Sequence, residues 1–199
     1  MLITQLKQKE ELIQKLQEPV FILRCVGCKE VYFPVHEIED FIREIKINVS
    51  ADIIIDYLCN AEFSREYINK HQPEILSSNT VIVFSCGVGV QTIASLLEEK
   101  TTLAGCDTIY INGFQGLTAQ NYDCAQCGEC YLNYTGGICP ITACSKGLLN
   151  GPCGGAKNGK CEVNKEMDCG WEKIYKKLSK LKMEGVPWPV NIRDYYKLI

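Results

Sequence analysis

The stretch Thr80-Val81-Ile82-Val83-Phe84-Ser85-Cys86-Gly87-Val88-Gly89-Val90 decides the fold class. Its first five residues are an unbroken run of β-branched and aromatic side chains, which predicts a strand buried on both faces. A cysteine and two glycines follow at once, and residues 91–99 then show a helical pattern. A buried strand that leads through a turn into a helix is typical of parallel α/β sheets.

The same alternation extends in both directions along the chain. The sequence predicts, in order, a helix over 3–17, a strand over 20–24, a helix over 36–46, a strand over 53–58, a helix over 61–70 and a strand over 108–111. We therefore expect an α/β fold, in which helices cover both faces of a doubly wound, mostly parallel sheet.

Sulfur dominates the chemistry available to this chain. It holds 13 cysteines and only two histidines among 199 residues. Charges recur through the first 17 residues without an apolar signal core, so we expect a cytoplasmic protein. Reducing surroundings disfavour disulfides, and an odd number of cysteines cannot pair completely. The net charge of −3 and the lack of basic stretches interleaved with aromatics argue against nucleic-acid binding. No apolar run is long enough for membrane insertion.

Four cysteines follow the predicted strands. Cys25 and Cys28 come after the first strand, Cys59 after the second and Cys86 after the third. The carboxyl ends of parallel strands lie at one edge of a sheet, where such folds place their sites. Four thiols that converge there are the number a [4Fe–4S] cluster needs.

Other interpretations of these residues remain open. Any single cysteine can be a small core residue, and Cys106 is interpreted in that way rather than as a ligand. The pair Cys25–Cys28 also fits a thioredoxin-like redox motif. The turn at Gly87 and Gly89 resembles a phosphate-binding loop but lacks a third glycine and a Walker lysine. These glycines would equally let backbone approach a cluster, which is the role we assign to them.

From about Gly113 the periodicity disappears, and glycine, asparagine, cysteine and proline become dense. So little contiguous apolar sequence predicts a small irregular domain held by metal. We expect an α/β domain over 1–113, a cysteine-rich iron–sulfur domain over 114–171, and a C-terminal helix with an extended tail over 172–199.

The cysteine-rich segment carries eight candidate metal ligands. Three of them are spaced Cys-x2-Cys-x2-Cys, which is typical of cubane clusters in ferredoxins, whereas zinc ribbons more often use two separated pairs. Zinc remains an alternative in one site, and the pairing of ligands stays open. The eight residues are Cys124, Cys127, Cys130, Cys139, Cys144, Cys153, Cys161 and Cys169.

Two blocks of the sequence resemble a known family, the small cysteine-rich MetV subunit of two-subunit methylenetetrahydrofolate reductases. One block is Ser85-Cys86-Gly87-Val88-Gly89-Val90-Gln91. The other is Cys139-Pro140-Ile141-Thr142-Ala143-Cys144-Ser145-Lys146-Gly147-Leu148-Leu149-Asn150-Gly151-Pro152-Cys153-Gly154-Gly155 with Asn158-Gly159-Lys160-Cys161-Glu162-Val163. The resemblance covers nearly the whole chain. One difference is Tyr32, near which relatives often carry another cysteine.

The resemblance implies an electron-transfer role in the methyl branch of one-carbon metabolism (the Wood–Ljungdahl pathway). It implies a MetF-type partner that holds the flavin, FMN or FAD, and reduces methylenetetrahydrofolate to methyltetrahydrofolate. The small subunit would carry two or three [4Fe–4S] clusters and receive electrons from a donor such as ferredoxin or an NADH-linked subunit. We expect no catalytic residue on this chain, which would be an oxidoreductase only as a subunit. The alternative is a zinc-binding scaffold of the same kind of complex without a redox role.

Overall fold

The computed structural model describes residues 2–29, 31–109, 117–119, 122–183 and 190–192. The strands are β1 (Leu2–Leu6), β2 (Val20–Cys25), β3 (Val31–Tyr32), β4 (Val49–Ile55), β5 (Thr80–Phe84), β6 (Thr101–Ala104), β7 (Cys106–Ile109), β8 (Leu117–Ala119) and β9 (Tyr122–Cys124). The helices are α1 (Lys9–Lys15), α2 (Val35–Glu44), α3 (Ala61–Lys70), α4 (Gln72–Ser77), α5 (Gly87–Leu96), α6 (Pro140–Ala143) and α7 (Gly170–Lys180), with a 3₁₀ turn over Tyr131–Tyr134.

A four-stranded parallel sheet forms the centre of the fold. Its strand order is β4-β2-β5-β6, and all neighbouring pairs run parallel. The chain moves outward from β2 to β4 and then returns to place β5 on the other side of β2. Such a reversal of strand order leaves a crevice at the carboxyl ends of β2 and β5. Cys25 ends β2 and Cys86 follows β5, so two of the strand-end cysteines lie at this crevice.

Both faces of the sheet are covered, as the buried runs predict. Phe21 and Val83 pack in one apolar cluster with side chains of α3, α4 and α5. Ile22 and Ile82 pack in a second cluster with Leu12 of α1 and with side chains of α2. Because side chains alternate along a strand, these two clusters lie on opposite faces. The mixed α/β class with a parallel sheet is therefore confirmed.

The N-terminal segment differs from its prediction. Residues 2–6 form a strand, β1, and the helix begins only at Lys9. β1 lies between β3 and β7 in a separate three-stranded sheet, parallel to β3 and antiparallel to β7. The helix over 3–17 is predicted from an apolar stripe of Ile3, Leu6, Ile13 and Leu16. In the structure, Ile13 is 48% exposed, whereas Leu12 is fully buried. Pairing with β7 overrides a weak local helical preference.

Two sheet strands also differ. The second parallel strand covers Val49–Ile55 rather than 53–58, because it pairs with β2 along that whole length. The fourth parallel strand is β6, not 108–111. Thr108 and Ile109 belong to the antiparallel strand β7, and Tyr110 and Ile111 lie outside the described residues. The expected extended tail over 186–190 also falls mainly outside them.

The cysteine-rich segment packs directly against the α/β layer. Asn133, in the 3₁₀ turn, is 2% exposed and donates from Nδ2 to the backbone oxygen of Ala104 at the end of β6 (3.1 Å). Leu132 enters the same apolar cluster as Phe21. On the far side, Lys177 of α7 reaches the carboxyl end of α5. No helix in the described part of the chain has the length and apolar character needed to cross a membrane.

Candidate functional site

The structure brings the four strand-end cysteines together. Cys86 interacts electrostatically with Cys25, Cys28 and Cys59, and Cys59 interacts with Cys28. The parallel arrangement of β2, β4 and β5 delivers these thiols to one edge, and all four pack against one apolar cluster. Cys25, Cys28, Cys59 and Cys86 are called the first thiol group here.

Burial dominates the chemistry of the first thiol group. It raises the pKa of Cys25 to about 11, against opposing hydrogen bonds from the backbone of residues 57 and 58. Burial also raises the pKa of Cys86, whose thiol is hydrogen-bonded by the backbone of Gly89 and Val88 at the start of α5. Buried thiols ionise only when a compensating positive charge is present, and a bound metal supplies one.

A second thiol group comes from the cysteine-rich segment. Four of its cysteines line one small cavity together with Gly87 and Leu132. Cys124 interacts electrostatically with each of the other three, and burial raises its pKa to about 12. Cys124 ends β9, the loop that follows supplies Cys127 and Cys130, and Cys139 directly precedes α6. The second thiol group is Cys124, Cys127, Cys130 and Cys139.

The first two thiol groups meet at Gly87. A Cβ atom on this residue would lie 2.9 Å from Sγ of Cys124, closer than real Cβ contacts allow. The backbone nitrogen of Gly87 donates to Oγ1 of Thr108 (3.0 Å), and the preceding Cys86 interacts electrostatically with Cys124. Glycine therefore permits the close approach of two chain segments, each of which carries thiols. Gly89 plays a different part, since its own Cβ would overlap Oγ of Ser85 (2.2 Å).

A third thiol group lies at the surface. Its four cysteines line another cavity, beside the buried Trp171. Cys153 is exposed and accepts a long hydrogen bond from the backbone nitrogen of Gly155 (3.4 Å). The hydroxyl of Ser145 lies 3.5 Å from Sγ of Cys161, and this hydrogen bond lowers the pKa of that thiol. The third thiol group is Cys144, Cys153, Cys161 and Cys169.

The second and third groups are each defined by one shared cavity, and the first group by electrostatic interaction and by packing against one apolar cluster. No three histidine, cysteine, aspartate or glutamate side chains of the described residues are placed so that they would hold a metal ion. The four sulfur donors of each group nevertheless restrict the metal centres that the group could bind. Four soft thiolates suit tetrahedral zinc or the four corners of a cubane iron–sulfur cluster, and neither calcium nor magnesium prefers them.

Cys106 lines neither of the two cysteine cavities, although it interacts electrostatically with Cys86. Its side chain is fully buried in the second apolar cluster, beside Phe84 and Leu103. Burial raises its pKa strongly. Because Cys106 precedes the expected strand 108–111, the sequence predicts it at the sheet edge opposite the other cysteines. The residue instead lies just after β6, at the carboxyl edge of the parallel sheet. This difference follows from the replacement of 108–111 by β6 as the fourth parallel strand.

Sequence reasoning missed a buried ionic cluster beside the second thiol group. Lys7 is 6% exposed, and its Nζ lies 2.8 Å from Oδ1 of Asp107 and 3.2 Å from Oε1 of Glu11. Burial alone would lower the pKa of Lys7, but the charges of Asp107, Cys130 and Glu11 outweigh it and raise that pKa. The only sequence signal is the adjacency of Asp107 to Cys106, because nothing in the sequence around Lys7 marks it as buried.

Comparison with known proteins gives one result. Residues 103–194 match a family model described as the C-terminal region of methylene-tetrahydrofolate reductase. The match covers just under half of the chain and includes the whole second and third thiol groups. No curated protein and no solved structure matches the chain.

Proposed function

From the match of residues 103–194 to the C-terminal region of methylenetetrahydrofolate reductase, we propose that this chain is a MetV-type electron-transfer subunit of such an enzyme. Its partner would be a MetF-type protein that holds the flavin and reduces methylenetetrahydrofolate to methyltetrahydrofolate. The observation that carries the proposal is the sorting of twelve of the 13 cysteines into three groups of four, two of which meet at Gly87.

The first and second thiol groups would each hold a [4Fe–4S] cluster, which supplies one-electron transfer when bound. Apart from Cys127, all their cysteines belong to or pack against one apolar cluster. Two adjacent clusters within one shared apolar environment would suit the relay of electrons from one cluster to the next. The third thiol group lies at the surface and closes irregular loops, as structural zinc sites of four cysteines do. We assign zinc to it.

The chain's own residues would orient and tune these centres. The backbone of residues 88 and 89 forms hydrogen bonds with the thiol of Cys86. The backbone of residue 126 forms one with Cys124, and that of residue 132 forms one with Cys130. Such bonds to cluster sulfur stabilise negative charge and so favour reduction. Cys86 also precedes the first turn of α5, where the helix dipole favours a thiolate. None of these roles makes or breaks a bond in the substrate.

The second candidate is a zinc scaffold without redox function, which the position of the third thiol group at the surface favours. Anaerobic purification with the flavin subunit, followed by iron, acid-labile sulfide and zinc analysis, separates the two. The relay predicts about eight iron atoms per chain, in two cubane clusters, and visible absorption that bleaches on reduction. A colourless complex that contains only zinc would contradict it.

Variants then test the grouping. Cys59→Ser should lower iron by about half, because it removes one ligand of the first group alone. Cys153→Ser should lower zinc and leave iron unchanged. Loss of iron from Cys153→Ser would show that the third group holds a cluster instead.

A further inference from the structure

Lys7 is brought to the second thiol group by the small sheet. The antiparallel pairing of β1 with β7 sets Leu6 opposite Cys106, and the backbone nitrogen of Lys7 donates to the oxygen of Gly105 (3.0 Å). The side chain is thereby directed toward Asp107, the next residue of β7. A lysine that is 6% exposed is rare in proteins unless its charge is paired.

Asp107 connects this lysine to a candidate ligand. Its Oδ1 accepts from Nζ of Lys7 (2.8 Å) and also from the backbone nitrogen of Cys130 (2.7 Å). The positive charge of Lys7 also acts directly on the Cys130 thiol. Lys7 and Cys130 interact electrostatically within the same buried site, where Asp107 joins them. The ammonium therefore stabilises negative charge on the sulfur of Cys130.

Two carboxylates oppose this effect. Glu11 lies 3.2 Å from Lys7, and Asn133 donates to its Oε1 (3.3 Å). Without the ammonium, the charges of Glu11 and Asp107 would act uncompensated on the same thiol group. In a buried site of low dielectric, one such charge changes electrostatic energies far more than it would in water.

We propose that Lys7 sets the reduction potential of the cluster held by the second thiol group, through a buried positive charge beside Cys130. The inference rests on the proposed relay function. Reduction adds one electron, so a nearby positive charge stabilises the reduced form and raises the potential. Lys7 would act through the ligand and not on any substrate, and it would make the second centre a better electron acceptor.

The test is a potentiometric titration of the whole complex, monitored by electron paramagnetic resonance. Lys7→Met keeps the length of the side chain and removes its charge, whereas Lys7→Arg keeps the charge. In Lys7→Met, at the potential where half of the native cluster is reduced, the ratio of reduced to oxidised cluster should fall about tenfold. This corresponds to a shift of about 59 mV for one electron. Lys7→Arg should retain most of the native value. The exposed Lys9, which pairs with Glu44, provides the control Lys9→Met, which should change neither cluster.

Native potentials in an iron-loaded Lys7→Met complex would overturn the inference and leave the relay function intact. Absence of iron and sulfide from the native complex would overturn both. If Lys7→Met alone fails to fold, the double variant Lys7→Met/Asp107→Asn is used, because it also removes the buried carboxylate that has lost its partner. The double variant is compared with Asp107→Asn alone. The double variant should then have the lower potential, and equal potentials would overturn the inference.

Discussion

Cys25 and Cys161 are both members of groups of four thiols, but their surroundings shift their pKa values in opposite directions. Burial raises the pKa of Cys25 to about 11, whereas the hydrogen bond with Ser145 lowers that of Cys161. Since the thiolate is the nucleophile, the two residues should differ in reactivity once metal is removed.

The first prediction concerns alkylation of the metal-free, reduced chain with iodoacetamide. Near neutral pH, Cys161 should be modified well before Cys25, because the surface loop that carries Cys161 opens without metal whereas Cys25 stays buried in the sheet core, 4% exposed. Peptide mass spectrometry would show this order. The rate at Cys25 should rise about tenfold for each pH unit up to its pKa, because the thiolate fraction rises in that proportion. Cys153, the exposed member of the third thiol group, is the reference for access. Equal rates at Cys25 and Cys161 would contradict the environments described.

Gly87 is a second single residue with a large expected effect. In Gly87→Ala the new methyl group would displace Sγ of Cys124, which lies 2.9 Å from the Cβ position. The expected result is loss or alteration of the second cluster while the first is retained, seen as about half the native iron and one remaining paramagnetic signal. Ser95→Ala, at the other end of α5, is the matched control and should keep full iron. Native spectra in Gly87→Ala would show that the two thiol groups do not meet there.

Among the secondary-structure elements, α5 and α7 depend on each other through one side chain. Lys177 of α7 is 8% exposed and donates from Nζ to the backbone oxygens of Ala94 (2.8 Å), Leu97 (3.3 Å) and Glu98 (2.7 Å). Burial lowers its pKa to about 8. A cation at the carboxyl end of a helix satisfies free carbonyls and complements the helix dipole. The contact joins the C-terminal helix to the helix whose start carries Cys86.

We therefore predict that Lys177→Met destabilises the chain by about 1–3 kcal/mol, because it leaves buried carbonyl groups without a donor. Denaturant unfolding of the metal-loaded protein measures this. Lys176→Met, a change of an exposed lysine at the adjacent position, should alter the unfolding free energy by less than about 0.5 kcal/mol. Equal stabilities for the two variants would show that the Lys177 contacts contribute nothing.

For the molecule as a whole, the cysteine-rich segment has two parts that differ in packing, and we expect them to depend differently on metal. Residues near Leu132 and Asn133 pack on the sheet and share its core, whereas the third thiol group lies at the surface among short loops. Short loops without a core need a metal to offset their conformational entropy. This refines the expectation that the whole segment from Cys124 to Cys169 folds only with metal.

Chelation of the third site should accordingly open only the loop around it. Trypsin should then cut first at the exposed lysines of that loop, Lys146, Lys157, Lys160 and Lys165, while Lys177 stays protected in its contact with α5. Mass spectrometry of the first fragments identifies the cuts, and the zinc-loaded protein is the control. Early cleavage at Lys177 would show that the C-terminal helix also detaches.

Sequence alone predicted most of the parallel sheet, and the errors have a common physical origin. The strands around Ile22 and Ile82 are buried on both faces and give an unambiguous apolar run. β6, with two threonines in four residues, gives no such signal. β1 is stabilised by pairing with β7, about a hundred residues away, and the local periodicity of residues 2–6 cannot predict that contact.

The sequence by itself determined that sulfur dominates the available side-chain chemistry, that four cysteines follow parallel strands, and that three more lie within seven consecutive residues. These are local properties, because the end of a strand and a Cys-x2-Cys-x2-Cys spacing can each be identified from a short run of consecutive residues. Only the tertiary structure decided that Cys139 joins Cys124 rather than the downstream cysteines, that two thiol groups meet at Gly87, and that Lys7 lies beside Asp107. Each of these contacts joins segments distant in the chain, and their proximity arises from strand pairing and core packing, which no single stretch of sequence specifies.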